Sequence, residues 1–283
     1  RCGVEICSRS EVLRSDIVIN LSPLSATDIH TMRRGGMLLT FLHSIVKEPA
    51  CVRELMRMNL TTIAIDLIED ENGNTPFADI LEEIDGRAAM AIASSLLADS
   101  EHGKGILLGG IAGIVPCETL IIGSNDTACS AARTAVGMGA IVRMMDNDVY
   151  RLRAATRELG PGVIGSALHP RTLEKALSTA DVVVYTDITS ELHFDLNDVD
   201  TMKRGVITFD LSSHHGKAFP SMREVNLAES SALDNSITEG SRVCYINAGS
   251  AVPRTAAMAL SNTFITLFDD TRRAGTPLNA LKL

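Results

Sequence analysis

The sequence has no tryptophan, no CxxC pair, no run of lysine or arginine and no long apolar stretch. Each absence closes a class of function. A net charge of -9 with no dense basic footprint argues against nucleic acid as the main partner. It leaves open a small anion held at one local site. The six cysteines, Cys2, Cys7, Cys51, Cys117, Cys129 and Cys244, show neither zinc spacing nor redox pairing. They read as reduced, mostly buried thiols of a cytoplasmic protein. The longest apolar candidates are broken by glycine, as in GILLGGIAGIVP, and fall short of the ~18 residues a membrane span needs. No basic, apolar and small-residue leader follows Arg1, so no signal peptide is expected.

What is present fits an ordinary globular chain, with 45% hydrophobic and 22% charged residues over a length sufficient for two domains. Short β-branched apolar runs alternate with amphipathic stretches, the pattern of βαβ units and a parallel sheet. Strands are expected at Asp16–Leu21, Gly36–Thr40, Thr61–Ile65, Thr119–Ile122, Ala140–Met145, Asp181–Tyr185, Val206–Leu211 and Val243–Ile246. Helices are expected at, among others, Pro49–Met58, Phe77–Leu97 and Ser130–Gly137. The glycine-rich GKGILLGGIAG ends the longest helical pattern and marks a crossing between domains. The expected division is a domain from residues 1–86 and 246–283, formed by both chain ends, and a central domain from 87–245.

The stretch TLIIGSNDTACSAARTAVGMGAIVRMMD has the order of a dinucleotide-binding turn. A strand leads into Gly123, which permits the tight bend, and Ala128 supplies the small third position. The second position is Asn125, whose side chain stands where a pyrophosphate would approach, although asparagine tolerates left-handed backbone. Asp126 adds negative charge at the same place and should weaken anion binding at the helix N-terminus. Asp146 ends the next strand, 23 residues beyond Gly123. That is near the spacing of a carboxylate on the adenosine ribose, which favours NAD over NADP. Cys129, beside the turn, reads either as a thiol of lowered pKa or as a small packing residue.

Several segments occur together in a recognisable order: HGKGILLGGIAGIVP, MGAIVRMMDNDVYRLR, LEKALSTADVVV, MKRGVITFDLSSHHGK and INAGSAVPRTAAMALSN. In this order the chain resembles the family of alanine dehydrogenase and the NAD-binding transhydrogenase alpha subunit, over about residues 16–264. The resemblance implies two Rossmann-like domains: a central NAD domain with a doubly wound parallel sheet, and a substrate domain from both chain ends. It implies NAD as cofactor, a small amino or 2-oxo acid as substrate, and a homo-oligomer. The family reaction is hydride transfer from L-alanine to give pyruvate and ammonia.

By position, the resemblance assigns an acid/base role to His43 in TFLH, a nicotinamide-ribose or substrate role to Asn247, and the ribose carboxylate to Asp146. The departures are as informative. The family lysine that pairs with the substrate carboxylate falls on Asn20 or Leu21, and the family aspartate near the nicotinamide falls on His214. The loop after ADVVV is shortened, and the family's arginine-bearing first βα segment has no counterpart, so the expected member is divergent and truncated at its N-terminus. Without those cations a substrate carboxylate would be desolvated unpaired, at a cost of several kcal/mol. Arg33 and Arg34 in TMRRGG read as a solvated turn. His193, His214 and His215 lack ligand spacing, so no metal is expected. Two functions follow from these residues: an NAD(H)-linked oxidoreductase, or a catalytically inactive homologue that serves as a binding or assembly module.

Overall fold

The computed structural model describes residues 3–22, 24–46, 48–70, 72–189, 192–213, 217–232 and 242–273, the side chains of 43, 44 and 267–273 excepted. The chain divides into two compact units, Arg1–Ile80 with Ala259–Leu283, and Leu81–Met258.

The first unit runs α1 (Arg9–Leu13), β1 (Ile17–Asn20), α2 (Ala26–Thr31), β2 (Met37–Thr40), α3 (Leu42–Val46), α4 (Pro49–Met58) and β3 (Thr61–Ala64). The three strands pair in parallel in the order β1-β2-β3. Local chemistry sets the helix ends. Ser25 and Asp28 form a reciprocal capping box on α2. Pro49 opens α4, and Asn59 closes it in the left-handed conformation. Val18, Ile29, Leu38, Ile45 and Cys51 are among the residues that fill this unit's core.

The chain passes between units inside two long helices, α5 (Pro76–Ala98) and α10 (Pro253–Arg273). Within the first unit, the rings of Phe77 and Phe264 lie 4.6 Å apart.

The second unit holds β4 (Glu118–Ile122), α6 (Asp126–Gly137), β5 (Ile141–Asp146), α7 (Val149–Leu159), β6 (Val163–Ala167), α8 (Pro170–Thr179), β7 (Val182–Tyr185), α9 (Leu196–Thr201), β8 (Ile207–Asp210), β9 (Arg223–Asn226) and β10 (Val243–Ile246). Its seven parallel strands run β6-β5-β4-β7-β8-β10-β9. The order reverses between β4 and β7, the switch point at which this kind of sheet opens a crevice. Alanines and leucines of α5, α6 and α7 pack on one face, and Ala176, Leu177 and Val199 of α8 and α9 on the other. Covered on both faces, β7 and β8 are buried throughout; β7 is a continuous apolar run, whereas β8 carries the buried polar residues Thr208 and Asp210.

All eight expected strands are present, with ends shifted by a residue or so. Two more, β6 and β9, were not expected, because VIGSA and REVN are sheet-edge strands with polar or exposed positions. Helix α6 starts at Asp126 rather than Ser130, so residues read as turn belong to its first turn. Helices α5 and α6 approach closely: a Cβ at Gly86 would meet the Thr127 carbonyl and the Ala131 amide.

At the N-terminal edge of this sheet, charges pair with opposite charges. Lys104 and Lys203 each place Nζ 3.0 Å from Asp181, whose carboxylate also accepts the Glu118 N–H. Arg143 donates to Glu118 at 3.1 Å. Burial alone would raise the Asp181 carboxyl, but the Lys203 and Lys104 ammonium groups and the Glu118 amide outweigh it and hold it below its ordinary value.

Candidate functional site

The C-terminal edge at the switch point brings together Gly123, Asn125, Ala128 and Asp146. Strand β4 ends in three buried aliphatics, Leu120, Ile121 and Ile122, and the chain bends at Gly123 with φ 117. That conformation suits only glycine, and a Cβ there would also collide with the Thr186 hydroxyl at the end of β7. Gly123 therefore has a packing reason independent of any ligand.

Asn125 is the N-cap of α6. Its backbone is extended, φ -78, rather than left-handed, and its Oδ1 accepts the Ala128 N–H at 3.1 Å. One of the helix's free donors is thus already engaged, and exposed Asp126 lies in the first turn beside it. Thr127 donates to Glu82 of α5 at 3.5 Å, which brings a second carboxylate to the same helix end. Ala128 is buried within the core that α5 and α6 share.

Asp146 is fully buried. Its Oδ2 accepts the Ser124 hydroxyl and its Oδ1 accepts the Asp148 N–H at 2.9 Å. Asp148 in turn caps α7 through the Tyr150 and Arg151 amides. Further along the edge, Asp187 accepts the N–H and hydroxyl of Ser213, and Asp210 accepts those of Ser212. At each of these loops a carboxylate of the chain takes up the hydroxyl and amide donors around it. Ser124, Asp148, Asp187 and Ser213 were not singled out in the sequence, although the D-N-D spacing before a helical run is a capping signal.

Asn247 ends β10 in the left-handed conformation, φ 56, and its Nδ2 donates to Asn226 at 2.9 Å. It closes a strand-to-loop turn. Nearby, the Gly249 N–H donates to Asp85 of α5. His43 lies in α3 of the first unit, with its side chain outside the described residues, and His214 also lies outside them. His193 faces the Lys217 carbonyl at 3.0 Å, and Arg33 pairs with Asp16. The alternative of an activated Cys129 is corrected: burial, then Glu158 and Asp126, push this thiol up to about 11, so it packs as a neutral group.

The model of the alanine dehydrogenase/PNT C-terminal domain matches residues 89–281, and that of the N-terminal domain matches residues 1–84. The chain belongs to the alanine dehydrogenase/PNT family. It is 27% identical to an alanine dehydrogenase of Mycolicibacterium smegmatis over 92% of this chain and 71% of that protein. An alanine dehydrogenase of Methanococcus maripaludis is 26% identical over 92% and 70%. Among solved structures, an L-alanine dehydrogenase superposes with a TM-score of 0.79 at 23% identity, covering 97% of this chain and 76% of that one. A transhydrogenase from Sinorhizobium meliloti gives 0.71 at 16%, covering 95% and 78%. These likenesses show the α/β, two-domain Rossmann-like fold. Among the described residues, no helix is long and apolar enough to cross a membrane.

At the switch point a dinucleotide diphosphate would meet one engaged amide and a carboxylate. The α6 terminus has its Ala128 amide engaged by Asn125 and carries Asp126, so a second anion would meet like charge. Asp146 has both oxygens engaged and no exposed surface for ribose hydroxyls.

Proposed function

We propose that this family member has kept the fold of alanine dehydrogenase without its hydride-transfer site, and that it serves as a catalytically inactive binding or assembly module. The observation that carries this reading is the self-contained bonding of the C-terminal edge. The Ser124 hydroxyl, the Ala128 amide and the Asp148 amide are all engaged by Asn125 and Asp146. The sequence points the same way, with Asn20 or Leu21 in place of the family lysine and His214 in place of the family aspartate.

A second reading is favoured by the match to both family domains and by the position of Asp146 at the end of β5. It is an NAD(H)-linked oxidoreductase acting on a small amino or 2-oxo acid, with His43 as acid/base and Asn247 beside the nicotinamide ribose.

Isothermal titration of the folded chain with NADH separates the two. The inactive reading expects no saturable heat up to millimolar cofactor, and no NADH consumption with pyruvate and ammonium. Micromolar binding accompanied by turnover would establish the oxidoreductase instead.

A further inference from the structure

A recess of about 470 Å³ lies within the second unit, between α5 and the turn that follows β9. Strand β9 is the outermost of the sheet, three places from β7, so the recess is separate from the switch point. Ile92, Ser95 and Leu96 line it from α5, at the i, i+3, i+4 spacing of one helix face, and Leu227, Glu229 and Ser230 line it from the turn. The turn is built around one side chain. Asn226 accepts the Ala228 N–H on Oδ1 at 3.0 Å and donates from Nδ2 to Glu229 at 2.8 Å, while its carbonyl accepts the Glu229 and Ser230 amides at 3.0 and 3.1 Å. Asn247, just beyond β10, donates to the same Oδ1 at 2.9 Å. Glu229 is therefore held at the rim, exposed, and no cation pairs with it among the described residues. Leu96, Leu227 and Tyr245 belong to one core cluster, in which the Tyr245 hydroxyl is buried without a hydrogen-bond partner. Unlike the surroundings of Asp146, this corner of the core is not closed on itself.

We propose that this recess binds a small organic ammonium ion, with the ligand's apolar body against Ile92, Leu96 and Leu227 and its charge at Glu229. The lining has the make-up of a small-molecule site, aliphatic walls with a few polar groups that fix orientation, and the volume falls in the same class. Charge selects the ligand. A carboxylate without a counter-cation, on a chain of net charge -9, attracts a cation and repels an anion. The Ser95 and Ser230 hydroxyls offer acceptors for the remaining N–H donors of an ammonium group. The bond from Asn226 fixes the carboxylate before a ligand arrives, which lowers the ordering cost of binding. The proposal is independent of whether a dinucleotide binds.

Titration calorimetry of the full chain with three probes tests it: 2-phenylethylammonium, the neutral 2-phenylethanol and the anionic 3-phenylpropionate. The ammonium should give saturable heat at about millimolar concentration or below. The alcohol should bind roughly tenfold more weakly, for want of a charge-assisted hydrogen bond, and the anion should give no heat. Glu229→Gln keeps an oxygen for Asn226 but removes the charge, so it should lower the ammonium affinity roughly tenfold and leave that of the alcohol unchanged. Ser95→Trp fills the recess from an exposed position and should abolish binding of both. Both variants should keep the wild-type circular dichroism and melting midpoint, because the replaced side chains are exposed. No saturable heat from the ammonium, equal affinity for the three probes, or ammonium binding that either variant leaves intact would overturn the proposal.

Discussion

The two edges of the seven-stranded sheet handle their carboxylates in opposite ways. At the N-terminal edge Asp181 and Glu118 meet ammonium and guanidinium groups: Lys104, Lys203 and Arg143. At the C-terminal edge Asp146 and Asp187 are held by serine hydroxyls and backbone amides instead. The first arrangement ties strand starts together with charge. The second spends neutral donors, the groups an open α/β crevice would otherwise turn toward an anionic ligand. A sheet can thus keep its order and register while the chemistry of one edge turns inward.

The comparison breaks first at Asp181. Asp181→Ala leaves two half-buried ammonium groups beside each other and should cost about 3 kcal/mol in urea unfolding at neutral pH. A loss below about 1 kcal/mol would class the cluster with ordinary surface pairs. The pH dependence carries the same sign. The Asp181 carboxyl is depressed in the folded chain, so its contribution is complete above the unfolded value of about 4. It is lost as pH falls from there through the lower folded value, and the difference between wild type and variant should close in acid.

Ser124→Ala is the matching change at the other edge. It leaves one oxygen of buried Asp146 without its hydroxyl donor and should cost about 2 kcal/mol by the same assay. An unchanged midpoint would mean that Asp146 finds water there and that the edge is more open than its bonding suggests.

The smallest stability effect sharpens the functional side. Asn125→Gly removes a cap for a few tenths of a kcal/mol, since glycine is itself tolerated at that position. It also frees the Ala128 amide. Combined with Asp126→Asn, it should raise NADH affinity at least tenfold by titration calorimetry if this helix end is where a diphosphate would bind. No change would move the diphosphate away from this turn.

Much of the fold was legible because buried parallel strands announce themselves: TLII, DVVVY and VITFDL are short, mostly apolar runs rich in β-branched residues. The edge strands β6 and β9 were not, since a strand with one free side keeps polar residues and glycine. At the candidate site the spacing marks residues but does not encode their bonding. In sequence Asn125 looks like an obstacle at a turn, whereas in the fold it caps a helix that begins four residues before its expected start. Asp146 is marked by spacing alone. Its burial and its bond to Ser124 depend on how two loops from different strands meet, which spacing does not encode.

Gly123 shows how one letter of a binding fingerprint can be held in place by packing alone. Its bend and its closeness to Thr186 would exclude any side chain even if no cofactor ever entered the crevice. Foldability alone is enough to preserve the glycine, so searching genomes for that letter counts ancestry as readily as occupancy. The neighbours that decide between them are the serine and asparagine that follow.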